Sequence, residues 1–288
     1  YGTMVENGPA PQLSETPIRR PEEAVKLGDE IQVRVVEVDP QGRVNLSAIG
    51  LDDATNIVIY NNDIHNNVNP QRATEIDIHG IKPWSGSSNV WIVDNHIHDN
   101  GGDAIQTGDA NAPEPWARLL YIGRNRMHGD RENAIDLKRS RDVIVSQNEM
   151  YDYDRTSSSS GEIGVVHDDA TRVWFLANHL YNGEYGIWNS GSTDYYAIGN
   201  LIHDVKHLAG SSYNAGGLYE AGHAMVTYGS TNTSHIGNTI WNVDAGISQP
   251  NGGGRAEVVN NIIGNLLQNT RHIYVGSGAT TVVSNNLV

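Results

Sequence analysis

Two short stretches of this chain hold most of its candidates for acid–base chemistry. "DLKRSR" (Asp136–Arg141) and "HDD" (His167–Asp169) together offer carboxylates, an amine, two guanidiniums and an imidazole. Lys138 or His167 could take a proton as a general base. Asp136 with Asp168 or Asp169 could supply the paired carboxylates of a hydrolase. Arg139 and Arg141 could grip an anion and would depress the pKa of Lys138, with Asp168 opposing them. A third stretch, "NHIHDN" at 95–100, suggests different chemistry. Two histidines at i and i+2 of one strand point the same way, as ligands of a transition metal would.

Whether such groups meet depends on how the chain is organised, and it is organised by repetition. A pentad recurs as NDIHN at 62, NHIHD at 95, NRMHG at 125, NEMYD at 148, NHLYN at 178, NLIHD at 200, NTIWN at 238 and NIIGN at 261. Spacings of this size signal stacked repeats whose longer members carry loop insertions. The fourth position of the pentad is His65, His98, His128 and His203, but also Tyr151, Tyr181 and Trp241. A position that accepts Tyr and Trp reads as packing, so no metal is expected at the histidine pair.

Each pentad follows a short strand, as in "NVWIVDN", "DVIVSQN" and "RVWFLAN". Counting back from the anchor Asn, positions −5 and −3 are Val90/Ile92, Leu120/Ile122, Val143/Val145 and Val173/Phe175. That alternation buries one face. A second short strand precedes each of these. Short strands closed by polar turns and repeated in this way specify an all-β chain. The expected fold is a right-handed parallel β-helix of about eight or nine turns over residues 51–288. Turns stacked about 4.8 Å apart bring equal positions into ladders. The anchors Asn62, Asn95, Asn125, Asn148, Asn178, Asn200, Asn238 and Asn261 should form one such ladder, their amides satisfying backbone groups at a bend. Position −12 aligns Asp136, Val166 and Trp188. Position −10 aligns Lys138, Asp168 and Ser190, which places Lys138 beside Asp168 and leaves His167 one step off. Position −4 gives Trp91, Tyr121, Ile144, Trp174 and Tyr196, an outward stripe suited to stacking on sugar rings. Trp174 and Trp188 should frame a sugar beside Lys138. Long stretches at 108–117 and 154–161 lengthen two turns near this place, where sites are usually built.

The chain carries 34 acidic against 19 basic residues, a net charge of −15, which argues against nucleic acid and for an acidic, solvent-facing protein outside the cytoplasm, extracellular or periplasmic. Seven basic residues nonetheless fall within 118–141: Arg118, Arg124, Arg126, Arg131, Lys138, Arg139 and Arg141. A basic patch of this kind would suit an acidic polysaccharide, with Arg124 and Arg126 among the residues contacting it. Asp103, Asp109 and Glu132 could offer hard oxygen ligands to Ca²⁺, though their spacing fits no calcium loop. There is no cysteine, and no apolar run long enough to span a membrane.

From residue 51 onward the repeats resemble the pectate-lyase superfamily of β-helices. That likeness implies a polysaccharide lyase cleaving a uronic-acid polymer by β-elimination. Such chemistry needs the substrate carboxylate neutralised by Arg, Lys or Ca²⁺ and a base for the C5 proton. The alternatives are a glycoside hydrolase and a non-catalytic polysaccharide-binding or adhesin-like β-helix. The calcium-aspartate signature of pectate lyases and the epimerase Tyr-Gly-Phe-Asp-Pro-His signature are both missing, so no catalytic residue carries over by motif. Residues 1–50 read as a separate small β-module. "KLGDEIQVRVVEVDPQGRVNLS" (Lys26–Ser47) is similar to the last two strands of an S1-type OB domain, with a turn at "DPQG". The first strand of that domain and most of its base-stacking positions are missing, which argues against RNA binding.

Overall fold

The computed structural model describes the backbone at residues 37–38, 44–45 and 49, and residues 50–67, 77–207, 222–267 and 271–288 with their side chains. Among them, short strands build three parallel sheets of nine, eight and nine strands. Each coil gives one strand to each sheet in turn. The first sheet runs from Thr55–Tyr60 to Thr280–Ser284, the second from Asp63–His65 to Ile262–Leu266, and the third from Ile49–Leu51 to Ile273–Ser277. The chain is thus a parallel β-helix, with nine coils in the first sheet, as the repeats imply. The coil begins at Ile49, which pairs with Ile81. No helix among the described residues is long and apolar enough to cross a membrane.

The pentad has a conformational reason. The residue just before each anchor is in the left-handed region at Asn61, Asp94, Arg124, Gln147, Ala177, Gly199, Gly237, Asn260 and Asn285. The fifth pentad residue is there too, at Asn66, Asp99, Gly129, Asp152, Asn182, Asp204, Asn242 and Asn265. Asn, Asp and Gly tolerate that region best, which explains their recurrence at the fifth position. Between these two bends lies a second-sheet strand whose central residue faces the core. Ile64, Ile97, Met127, Met150, Leu180, Ile202, Ile240 and Ile263 form this buried column.

The anchors stack as one ladder. The backbone N–H and side-chain amide of Asn95 both donate to Asn125 Oδ1, at 2.9 and 3.0 Å. The same pair of bonds recurs through Asn125, Asn148, Asn178, Asn200 and Asn238 to Asn261. Asn261 in turn donates to Asn286, a further rung beyond the eight pentads. The second amide hydrogen of each goes to a main-chain carbonyl, as from Asn148 to Ile122 O at 3.0 Å. A shorter ladder, Asn67 to Asn100 to Asp130, ends at a residue that accepts but cannot pass on a proton. There the buried Tyr153 hydroxyl donates to the other carboxylate oxygen.

The −5 and −3 pairs named above are all buried. Glu37–Val38 pairs antiparallel with Val44–Asn45, on either side of the "DPQG" stretch. The remaining N-terminal expectations lie outside the described residues.

Candidate functional site

The third sheet carries the site. Its strands Ile135–Lys138 and Glu162–His167 pair in parallel with Asp136 opposite Val165 and Lys138 opposite His167. This corrects the ladder count, which put Lys138 beside Asp168. Between Lys138 and Arg141 the chain uses three steps, but between the equivalent His167 and Thr171 it uses four. The extra residue is absorbed by two successive left-handed residues, Asp168 and Asp169. His167 therefore moves into the row of Lys138, and Asp168 turns into the bend, where its carbonyl accepts from Arg139 N.

Asp136 joins the two bases. Its Oδ1 lies 2.9 Å from His167 Nε2 and its Oδ2 2.8 Å from Lys138 Nζ. Burial would raise the carboxyl of Asp136, but the His167 hydrogen bond and the Lys138 charge outweigh it and hold the group below the ordinary range. Burial works against the charge of Lys138, yet Asp136 more than compensates and lifts its pKa. The expected depression of Lys138 by Arg139 and Arg141 is thus reversed. The raised pKa holds Lys138 as an ammonium at neutral pH. His167 is also raised: burial lowers it, but the bond and charge of Asp136, then Asp168 at 3.4 Å from Nδ1, prevail.

These groups floor a groove of about 490 Å³ lined also by Asp77, Glu132, Asn133, Ser158–Ser160, Glu162, Val165 and Trp188. Trp188 follows Val165 in the column of Asp136 and packs edge-on against buried Tyr185. The 154–161 insertion adds Ser158–Ser160 to the lining. Ser159 Oγ reaches Asn133 Oδ1 and Glu162 Oε2, and Ser160 N donates to Glu162 Oε2. Burial, then the charge of Asp103, push the Glu132 carboxyl up to about 7. Sequence reasoning missed Asp77, Asn133, Glu162 and the serines. The length of the 154–161 insertion was their one signal.

Other expected site residues lie elsewhere. The guanidinium groups of Arg139 and Arg141 lie over Trp116 of the 108–117 insertion, 5.9 and 4.6 Å from its ring centre, and Arg141 pairs with Glu114. Neither lines the groove. Trp91, Tyr121, Trp174 and Tyr196 do form a row with Ile144, as expected, but on the first sheet. Their rings pair as Trp91–Tyr121 and Trp174–Tyr196, 5.0 and 5.5 Å apart. Trp174 therefore does not frame the groove with Trp188. Arg124 is forked onto Asp94, and Arg126 lies over the Tyr151 ring and pairs with Glu149. The basic patch is largely matched by acids.

The calcium candidates also separate. Asp109 accepts from Asn111 N, away from Asp103 and Glu132, which cluster with Asp77 and His79. Asp103 already accepts from Asn133 and Gln106, and His79 Nδ1 accepts from Asp103 N. Asp103 and His79 are thus already engaged with each other and with Asn133 and Gln106.

Similarities to known proteins concern the fold. Two structures of PfbA, a surface adhesin of Streptococcus pneumoniae, superpose with TM-scores of 0.52 and 0.50 at 12% and 11% identity. They cover 74% and 81% of this chain, which spans 62% and 63% of theirs. Short stretches are similar to polyribonucleotide nucleotidyltransferases: 45% identical over 49 residues in Prochlorococcus marinus and 56% over 36 in Heliobacterium modesticaldum. Those stretches make up 17% and 12% of this chain but only 7% and 5% of the relatives' length. The model of the right-handed β-helix region matches residues 42–202, more than half of the sequence, and with three parallel sheets beneath it the chain belongs to that family.

Proposed function

We propose that the groove binds a uronic-acid polysaccharide and cleaves it by β-elimination. The observation that carries this reading is Asp136 holding Lys138 and His167 on adjacent coils beside Trp188. Lys138, fixed as an ammonium, pairs with the uronate carboxylate and makes the C5 proton acidic. Asp136 accepts Nε2–H from His167 and so leaves Nδ1 as the basic nitrogen, with Asp168 near it to stabilise the imidazolium. His167 takes the C5 proton, the C4–C5 double bond forms, the C4–O bond breaks, and the leaving oxygen takes a proton from water. Trp188 offers a face or edge to the sugar. Arg139 and Arg141 act outside the groove, by holding the 108–117 insertion. The chain is read as extracellular or periplasmic on its acidity and on the surface location of PfbA. Residues 1–50 are read as an S1-like module, a reading supported by the hairpin and by the short nucleotidyltransferase likeness.

The test is incubation with a panel of uronate polymers, following the absorbance of the unsaturated product. Turnover should appear on one of them and vanish in His167→Ala. Reducing ends without that absorbance would instead support hydrolysis, a reading favoured by Glu132, whose carboxyl near 7 suits a general acid. Binding without turnover would support the non-catalytic reading.

A further inference from the structure

The outer face of the second sheet holds a second chemical cluster, remote in kind from the groove. Pentad positions two and four both point outward there. The second-position row is Asp63, His96, Arg126 and Glu149; the fourth-position row is His65, His98, His128 and Tyr151. The rings of the fourth row stack face to face, His65 on His98 at 4.8 Å, His98 on His128 at 5.0 Å and His128 on Tyr151 at 4.8 Å. The planes of His98 and His128 are nearly parallel, 11° apart, so both rings must tilt out of the stack to share one ion.

His96 adds what the repeat logic left out. It belongs to the variable second row, and its Nε2 lies 2.9 Å from His128 Nε2. Nitrogen lone pairs cannot approach so closely without a proton or a cation between them. Donor atoms of His96, His98 and His128 all fall within 4.8 Å of one another. Tetrahedral zinc needs its nitrogen ligands about 3.3 Å apart, so the three imidazoles would close and turn toward the ion. His98 Nδ1 lies 2.8 Å from Asp99 Oδ2, and in the tautomer that donates there Nε2 carries the lone pair. This is the carboxylate–histidine pairing that orients metal-bound imidazoles. Asp63 Oδ1 lies 3.1 Å from that Nε2 and 3.4 Å from His96 Nδ1.

We propose that His96, His98 and His128, with Asp63 as a carboxylate ligand, bind one divalent transition metal ion, Zn²⁺ in the first place. Three imidazoles and a carboxylate match a borderline ion such as Zn²⁺, Ni²⁺ or Cu²⁺ rather than Ca²⁺. The ion clips three consecutive coils. The chain contains its own comparison further along. His179 and His203 repeat the close Nε2 pair at 2.7 Å, but the third place is taken by Tyr181, so that pair has one ligand too few. The site rests on none of the groove residues and stands or falls apart from the lyase reading.

The test is calorimetric titration of the chelator-stripped chain with ZnCl₂, with the visible absorption of added Co²⁺ as a second readout. One Zn²⁺ per chain is expected, together with a rise in melting temperature. Binding should be lost in His98→Tyr and His128→Tyr, which install the residue the repeat itself uses at 151 and 181, and in His96→Arg, which copies Arg126. Asp99→Asn should weaken it by about 10–100-fold. His179→Ala should leave it unchanged. The proposal is overturned if the wild-type chain binds no stoichiometric Zn²⁺ or gains no stability from it. It is equally overturned if binding survives all three histidine variants or is lost in His179→Ala.

Discussion

His167 and Lys138 both owe their state to one buried carboxylate. Because His167 is raised above 6.5 and must be neutral to act as base, kcat/KM should climb with pH, with a midpoint above that value. In Asp136→Asn the cause of the shift is gone and the midpoint should move down, while the rate falls as the tautomer is lost. His167→Ala should lower kcat by about 10²–10⁴-fold. Stability runs the other way. A raised folded pKa gives a contribution fully present below pH 6.5 and lost as pH rises through the folded value. The wild-type melting temperature should therefore lose that contribution over the same rise in pH that switches activity on. Little of this pairing was legible in the sequence. Counting from the anchors found the right two strands, but a single extra residue in the Asp168–Asp169 bend exchanged His167 for Asp168. Nothing in residue types marks whether a bend takes three steps or four.

At the scale of the element, the strands are short and their ends do the specifying. Asn148 fills four hydrogen bonds in a buried bend, with the Asn125 N–H and amide as donors and Ile122 O and Asn178 Oδ1 as acceptors. Asn148→Ala leaves several of these groups unpaired, and chemical denaturation should show a loss of at least about 2 kcal/mol. Core volume is shared between neighbouring strands as well. Gly164 stands in a column between Ile135 and Ile187, and a Cβ there would lie 3.1 Å from the ring of Phe175. Phe175 in turn sits between Val145 and Ala197. Gly164→Ile alone should overpack the core by about 1–3 kcal/mol. Joined with Phe175→Val, it should recover much of that loss, a non-additivity read from the two single variants and the pair. The anchors and the apolar columns were legible because every coil repeats them. The exchange of volume at Gly164 and Phe175 was not, since it breaks the repeat in two places that cancel.

For the whole molecule, the outer surface divides by sheet. The groove belongs to the third sheet, the paired aromatic rings to the first, and the histidine stack to the second. Trp188→Ala should raise KM on a cleaved polymer by about 10-fold, the scale of one aromatic contact. Trp91→Ala and Trp174→Ala should leave turnover of short oligosaccharides unchanged, as initial-rate kinetics would show.

The head-to-tail order of the Asn ladder also makes the coil a unit of inheritance. Each rung asks the next only for one amide oxygen and a left-handed residue before it, whatever loop lies between. Gly237 precedes Asn238 just as Asn260 precedes Asn261. Excising residues 238–260 would join Gly237 to Asn261, and Asn200 would find there the acceptor it had lost. The shortened chain should keep its β circular dichroism and melt cooperatively at a lower temperature. Such a chain could lengthen or shorten by duplicating and discarding whole coils, leaving the cuts invisible in the core.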